Sequence, residues 1–141
     1  MWTSYGDVVL AGDQLVMPRL PPDPGVYQWV MTYADAERRY VGEAKNLERR
    51  FAHYRSPGPS QVTNIRMNDR AQRVIAAGGH VEILCATGIQ LIIDEVATEA
   101  DLTLSFVRRF VENAALVALH STGTPIINDI GYGEIANDVL R

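Results

Sequence analysis

Between Gly25 and Tyr33 the chain alternates without a break, Tyr27, Trp29, Met31 and Tyr33 falling on one side and Val26, Gln28, Val30 and Thr32 on the other. That period of two is what a strand requires. Ala34-Asp35-Ala36-Glu37 then turns the chain, and Arg38 to Gly42 returns as a second strand, so the pair reads as an antiparallel hairpin. The hairpin brings Tyr27 and Tyr40-Val41-Gly42 to one end of a sheet. Asn46 follows as a good N-cap, with Glu48 in the first turn where the helix dipole favours an anion. Leu47, Arg50, Phe51 and Tyr54 fall at i, i+3, i+4 and i+7, one stripe with two apolar anchors and two polar tips. A hydroxyl pair and a fixed cation thus sit within one short segment, a grouping suited to phosphodiester chemistry.

Around this unit the pattern is less specific. Asp7 to Ala11 reads as a short strand, and the prolines from Pro18 to Pro24 mark a loop. Pro57-Gly58-Pro59 ends the first helix; Gln61 to Ala77 reads as a second, with Ile65, Val74 and Ile75 as core and Arg66, Arg70 and Arg73 outward. Gly78-Gly79 stops it, and Val81 to Ala86 reads as a strand. The apolar run Ile89 to Ile93 fits either a strand or a buried helix. Thr98 with Asp101 resembles a capping arrangement opening a long helix to about His120, ended by Gly123 and Pro125.

At 141 residues the chain fits a single domain able to bury a sizeable core. The one cysteine, Cys85, excludes an intrachain disulfide and a cysteine-rich zinc site, and a reducing cytoplasm is the expected location. Met1-Trp2-Thr3-Ser4 does not begin a basic-then-apolar leader, and no segment approaches the ~18 uninterrupted apolar residues of a membrane helix. Net charge is −4, which argues against a nucleic-acid partner, but nine basic residues face three acidic ones between Arg38 and Arg73. One basic face is implied, and a phosphate backbone responds to the local field rather than to the sum. Solvated helix faces would give the same run.

Gly25-Val26-Tyr27, Tyr40-Val41-Gly42, Lys45-Asn46-Leu47 with Arg50, an isolated Glu112 and a late Asn128 together resemble the GIY-YIG nuclease superfamily. The stretch Tyr40 to Leu47 is particularly similar to the N-terminal incision domain of the bacterial excision-repair nuclease. The likeness spans Gly25 to Asn128, with Gly25 to Tyr54 its specific part. It implies an α+β fold, a small central antiparallel sheet flanked by helices, in a domain over about 25–130 with an insertion at about 57–101. Residues 1–24 are then an N-terminal extension and 131–141 a C-terminal tail. It further implies hydrolysis of phosphodiester bonds in DNA with one divalent cation, Mg²⁺ or Mn²⁺.

The resemblance gives each position a role that elementary chemistry can support. Arg50 becomes the phosphate clamp, since a guanidinium holds two developing oxyanions at once; the bland alternative is an ion pair with Glu43. Glu112 becomes the metal ligand, in keeping with a hard cation that keeps its waters and takes one or two carboxylates. Its alternative is pairing with Arg108 or Arg109 one turn away. Tyr27 and Tyr40 become general base and phosphate contact in an order left open, though both could equally be strand packing. Tyr54 matches a position contacting the scissile phosphate, preferred over His53. Gly42 admits a close backbone approach or an unusual φ; Lys45 is a backbone-binding charge, and Asn128 holds loop geometry by side-chain hydrogen bonds. His80 and His120 have no ligand spacing.

Glu43 departs from the pattern, because an anion there opposes phosphate approach unless it faces solvent. With no separate DNA-binding module, grip falls to Arg66, Arg70 and Arg73, unless the protein forms a homodimer or acts in a larger complex. Two competing classes remain: a non-catalytic nucleic-acid-binding module of this fold, and a protein-interaction domain using the acidic remainder.

Overall fold

The computed structural model describes residues 1–128. The hairpin at its centre is longer and tighter than the sequence suggests. Strands β4 (Gly25–Tyr33) and β5 (Ala36–Ala44) pair residue for residue from Gly25↔Ala44 to Tyr33↔Ala36. Only Ala34 and Asp35 turn, at φ 51° and 56°, the paired left-handed conformation whose twist matches the flanking strands. Before them, β1 (Thr3–Asp7), β2 (Val9–Ala11) and β3 (Gln14–Val16) lie in the N-terminal segment, and the expected strand at Asp7 to Ala11 is therefore split between β1 and β2.

Helix α1 (Leu47–Arg55) opens on Asn46, whose side chain accepts the Arg49 N–H at 3.0 Å. Helix α2 (Val62–Ala76) leads through Gly78, at φ 85°, into β6 (His80–Ala86). The run at Ile89 resolves as β7 (Gln90–Ile93), paired with β8 (Val96–Glu99) across Asp94-Glu95. Thr98 lies inside β8, so the expected capping pair does not form. Asp101 instead accepts from the amide and hydroxyl of Thr103, and α3 (Ser105–Ser121) begins after Leu104.

The main sheet has the order β1-β6-β4-β5, every pair antiparallel. The buried central strand β4 divides two cores. Tyr27, Trp29 and Met31 pack with Leu47, Phe51 and Tyr54 of α1 and Val74 of α2, while Val26 and Val41 pack with Leu102 and Val111 on the α3 side. The alternation seen in the sequence thus separates two buried faces, not a buried one from a wet one. Residues 1–24 enter the same fold: β1 forms the edge beside β6, and Val8, Leu15 and Leu20 are buried with Trp29. Likewise β6, within the stretch 57–101, is an inner strand of the main sheet, while β2–β3 and β7–β8 form separate two-stranded sheets. Among the described residues no helix is long and apolar enough to cross a membrane.

Candidate active site

On α1, the stripe read from the sequence buries Leu47, Phe51 and Tyr54 and leaves Arg50 at its margin. Tyr27 reaches the same place from β4, its ring edge-on to Phe51 at 4.9 Å between centroids. The Tyr27 and Tyr54 hydroxyls are 2.8 Å apart. Arg50 closes the cluster, donating from Nε to Tyr27 at 3.1 Å and from Nη2 to Tyr54 at 3.2 Å, with its guanidinium 4.5 Å from the Tyr54 ring centre. Nη1 makes no hydrogen bond among the described residues. Glu43 is not the partner of Arg50.

Burial decides what these phenols can do. Tyr27 is 1% exposed and Tyr54 0%. Desolvation pushes the Tyr27 hydroxyl up to about 12 and Tyr54 well above its ordinary value, against the lowering pull of Arg50. Burial opposes the Arg50 charge too, yet the surrounding phenolic oxygens raise its pKa overall. Tyr40 differs, since it is only partly buried. Its pKa is raised by burial, with hydrogen bonding to Tyr54 and then the Arg50 charge lowering it and Glu112 raising it, so Tyr40 stands within reach of the Tyr54–Arg50 cluster and of Glu112.

Glu112 projects from α3, half-buried, without a hydrogen bond or ion pair among the described residues. Burial lifts its pKa first and the Glu43 carboxylate second, while Arg109 lowers it. Arg108, the other expected partner, turns to β5: its Nε donates to Glu43 and its Nη1 to the carbonyls of Leu102 and Thr103 at 3.0 and 3.1 Å. Glu43 therefore neither faces solvent unopposed nor stands free. The residues fit a hard cation: a partly desolvated carboxylate with no hydrogen bond or ion pair among the described residues is an environment a divalent ion relieves. No group of three or more His, Cys, Asp or Glu side chains that could hold a metal ion occurs among the described residues.

Gly42 owes its identity to Tyr27. The two face each other across the β4–β5 ladder, and a Cβ on Gly42 would overlap the Tyr27 ring and hydroxyl; its φ is not in the left-handed region. Neither reason read from the sequence, phosphate approach or unusual φ, is the one the structure displays. Asn128 holds the far side of β5, accepting the Val41 N–H at 2.9 Å and donating to the Val41 carbonyl at 2.7 Å. Both ends of its amide are occupied, which leaves a framework role in place of substrate contact.

The arginines of α2 do not join this cluster. Arg70, expected outward, is 1% exposed and bonded to the Tyr33 hydroxyl, so it cannot grip a substrate. Arg73 pairs with Asp69 at 3.0 Å, and Arg66 is exposed. Lys45 is exposed and lines a shallow groove of about 270 Å³ beside Arg50, together with Arg49 and His53. Arg49 and His53 share one face of α1 through their i, i+4 spacing. The Glu43–Arg108 pair was missed in the sequence, although Arg108 shares a helical stripe with the buried Val111.

No protein-family model and no curated protein matches the sequence. Among solved structures, a glutamate-to-alanine variant of bacteriophage T4 EndoII, a GIY-YIG-type nuclease, is similar over 88% of this chain and 90% of its own. The TM-score is 0.52 at 13% identity. The hairpin, its Asn-capped helix and the antiparallel sheet between helices together have the GIY-YIG endonuclease fold.

Proposed function

We propose that the chain is a divalent-metal-dependent endonuclease that hydrolyses phosphodiester bonds in DNA. The observation that carries this reading is the fork of Arg50, held by the Tyr27 and Tyr54 hydroxyls with no hydrogen bond from Nη1 among the described residues, on a GIY-YIG fold. Phosphodiester cleavage builds negative charge on the non-bridging oxygens, and a cation fixed beforehand stabilises that charge without reorganising. Arg50 clamps those oxygens. Tyr27 and Tyr54 act as positioning residues, because their hydroxyls are spent on Arg50 and on each other.

Tyr40, the least buried of the three phenols, faces the attacking water. Protonated at neutral pH, it orients the nucleophile as a hydrogen-bonding group more readily than it removes a proton. Glu112 would hold Mg²⁺ or Mn²⁺, which when bound would supply Lewis-acid stabilisation of the developing phosphoryl charge. Arg108 neutralises Glu43 and so removes the objection that an acid beside Gly42 raises. The motif from Tyr40 to Leu47 favours kinship with excision-repair incision domains over other GIY-YIG branches. A binding module of the same fold is the second reading, favoured by the burial of Tyr27 and Tyr54, which takes two phenols out of substrate reach.

Incubation of supercoiled plasmid and of branched duplexes with Mg²⁺ or with EDTA tests the proposal. Nicking in Mg²⁺ alone, reduced by roughly 10²-fold or more in Arg50→Ala, is expected. Cutting that survives EDTA, or an Arg50→Ala enzyme as fast as wild type, contradicts it; binding without cutting by any form favours the second reading.

A further inference from the structure

The basic residues between Arg38 and Arg73 divide by what opposes them. On α2, Arg73 is paired with Asp69 and Arg70 is buried against Tyr33. On and before α1, Lys45, Arg49 and His53 have no ion pair among the described residues, and they line with Arg50 one shallow groove. Glu43 also lines it, but its carboxylate is bound to Arg108. The Asn46 side chain, at the rim of the groove, caps the helix by accepting the Arg49 N–H at 3.0 Å.

Geometry suits a backbone. Arg49 and His53 lie one helical turn apart, about 6 Å along the axis from the rise per residue. A DNA strand carries one charge per about 3.4 Å of axis, so this pair spans about two phosphates. Resting on the endonuclease reading of the Arg50 site, we propose that Arg49 and His53, with Lys45, form the track that holds the DNA backbone flanking the scissile phosphate. The substrate strand then runs along α1 and not along α2. Arg49, which from helix geometry points about 100° away from Arg50, is the neighbour that extends the clamp to the next phosphate.

The test is the salt dependence of binding to a short fluorescein-labelled duplex in EDTA, for wild type, Arg49→Gln/His53→Gln and Arg66→Gln/Arg73→Gln. The α1 variant is expected to bind more weakly, with the slope of log K against log[salt] shallower by about 1 to 2. In Mg²⁺ its deficit falls on KM. A slope lost in the α2 variant and kept in the α1 variant overturns the track. Nicking assays on the same samples separate the two claims: Mg²⁺-dependent cutting with an unaltered α1 slope sinks the track alone, whereas track-dependent binding without cutting sinks the nuclease reading alone. If the double variant unfolds, Arg49→Gln alone carries the comparison.

Discussion

Gly42 stands directly opposite Tyr27 in the β4–β5 ladder, and the phenol ring occupies the space where a side chain on Gly42 would project. The glycine of one strand is what lets the tyrosine of the other lie flat and present its hydroxyl to Arg50. Gly42→Ala should therefore cost about 1–3 kcal/mol as the ring is pushed aside. Activity should fall further than stability explains, because Tyr27 leaves Arg50. Urea unfolding and nicking rates on the same samples check this; an active, stable alanine variant would contradict it.

Removing one phenol should expose the economy of the cluster. Tyr27→Phe leaves the Arg50 Nε donor facing a ring, and a half-buried donor that loses its acceptor costs about 1 kcal/mol. Turnover should drop because the guanidinium is no longer fixed. A Tyr27→Phe enzyme with wild-type kcat would show that the hydroxyl orients nothing.

High pH should unfold the protein through the same groups. Tyr27 is pushed up to about 12 by burial, and burial pushes the Cys85 thiol up to about 12 as well. A group that holds its proton more tightly when folded stabilises the fold below its unfolded pKa and loses that contribution as pH rises toward the folded value. Stability should therefore fall from about pH 9 for Cys85 and pH 10 for Tyr27 toward pH 12, at up to about 1.4 kcal/mol per pH unit per group. Denaturant melts across that range, with Cys85→Ala flattening the lower part, check the sign.

The Arg108–Glu43 pair ties α3, which carries Glu112, to β5, which carries Tyr40. Arg108→Met should destabilise by about 2–4 kcal/mol, since it strands a partly buried carboxylate and frees the Leu102 and Thr103 carbonyls. It should also weaken Mn²⁺ binding by displacing the helix of Glu112. Calorimetric Mn²⁺ titration of Arg108→Met and of Glu43→Gln/Arg108→Met checks this, with the double variant expected to regain part of the stability.

Much of the fold was readable because its elements are locally consistent. The alternation from Gly25 to Tyr33, the Asn46 cap and the stop at Gly78 each state their own geometry. What could not be read was long-range. Nothing near Arg70 says that β4 brings Tyr33 over it, so a basic residue on a helix reads as solvated. Nothing near Glu43 names Arg108, 65 residues away. The site divides in the same way: Arg50 and Tyr54 announce their contact by an i, i+4 spacing, whereas the burial of Tyr27 and the partial exposure of Tyr40 depend on which helix covers which end of the sheet.

The most direct measurement is the Mg²⁺-dependent nicking rate of Glu112→Gln against wild type, with folding followed on the same samples. Glu112 is half-buried, raised in pKa by burial and by Glu43, and without a hydrogen bond or ion pair among the described residues, so its charge is a strain the fold carries at neutral pH. The account predicts that Glu112→Gln abolishes nicking, still binds DNA in EDTA, and is at least as stable as wild type at pH 7. Undiminished metal-dependent nicking by Glu112→Gln would contradict the central claim.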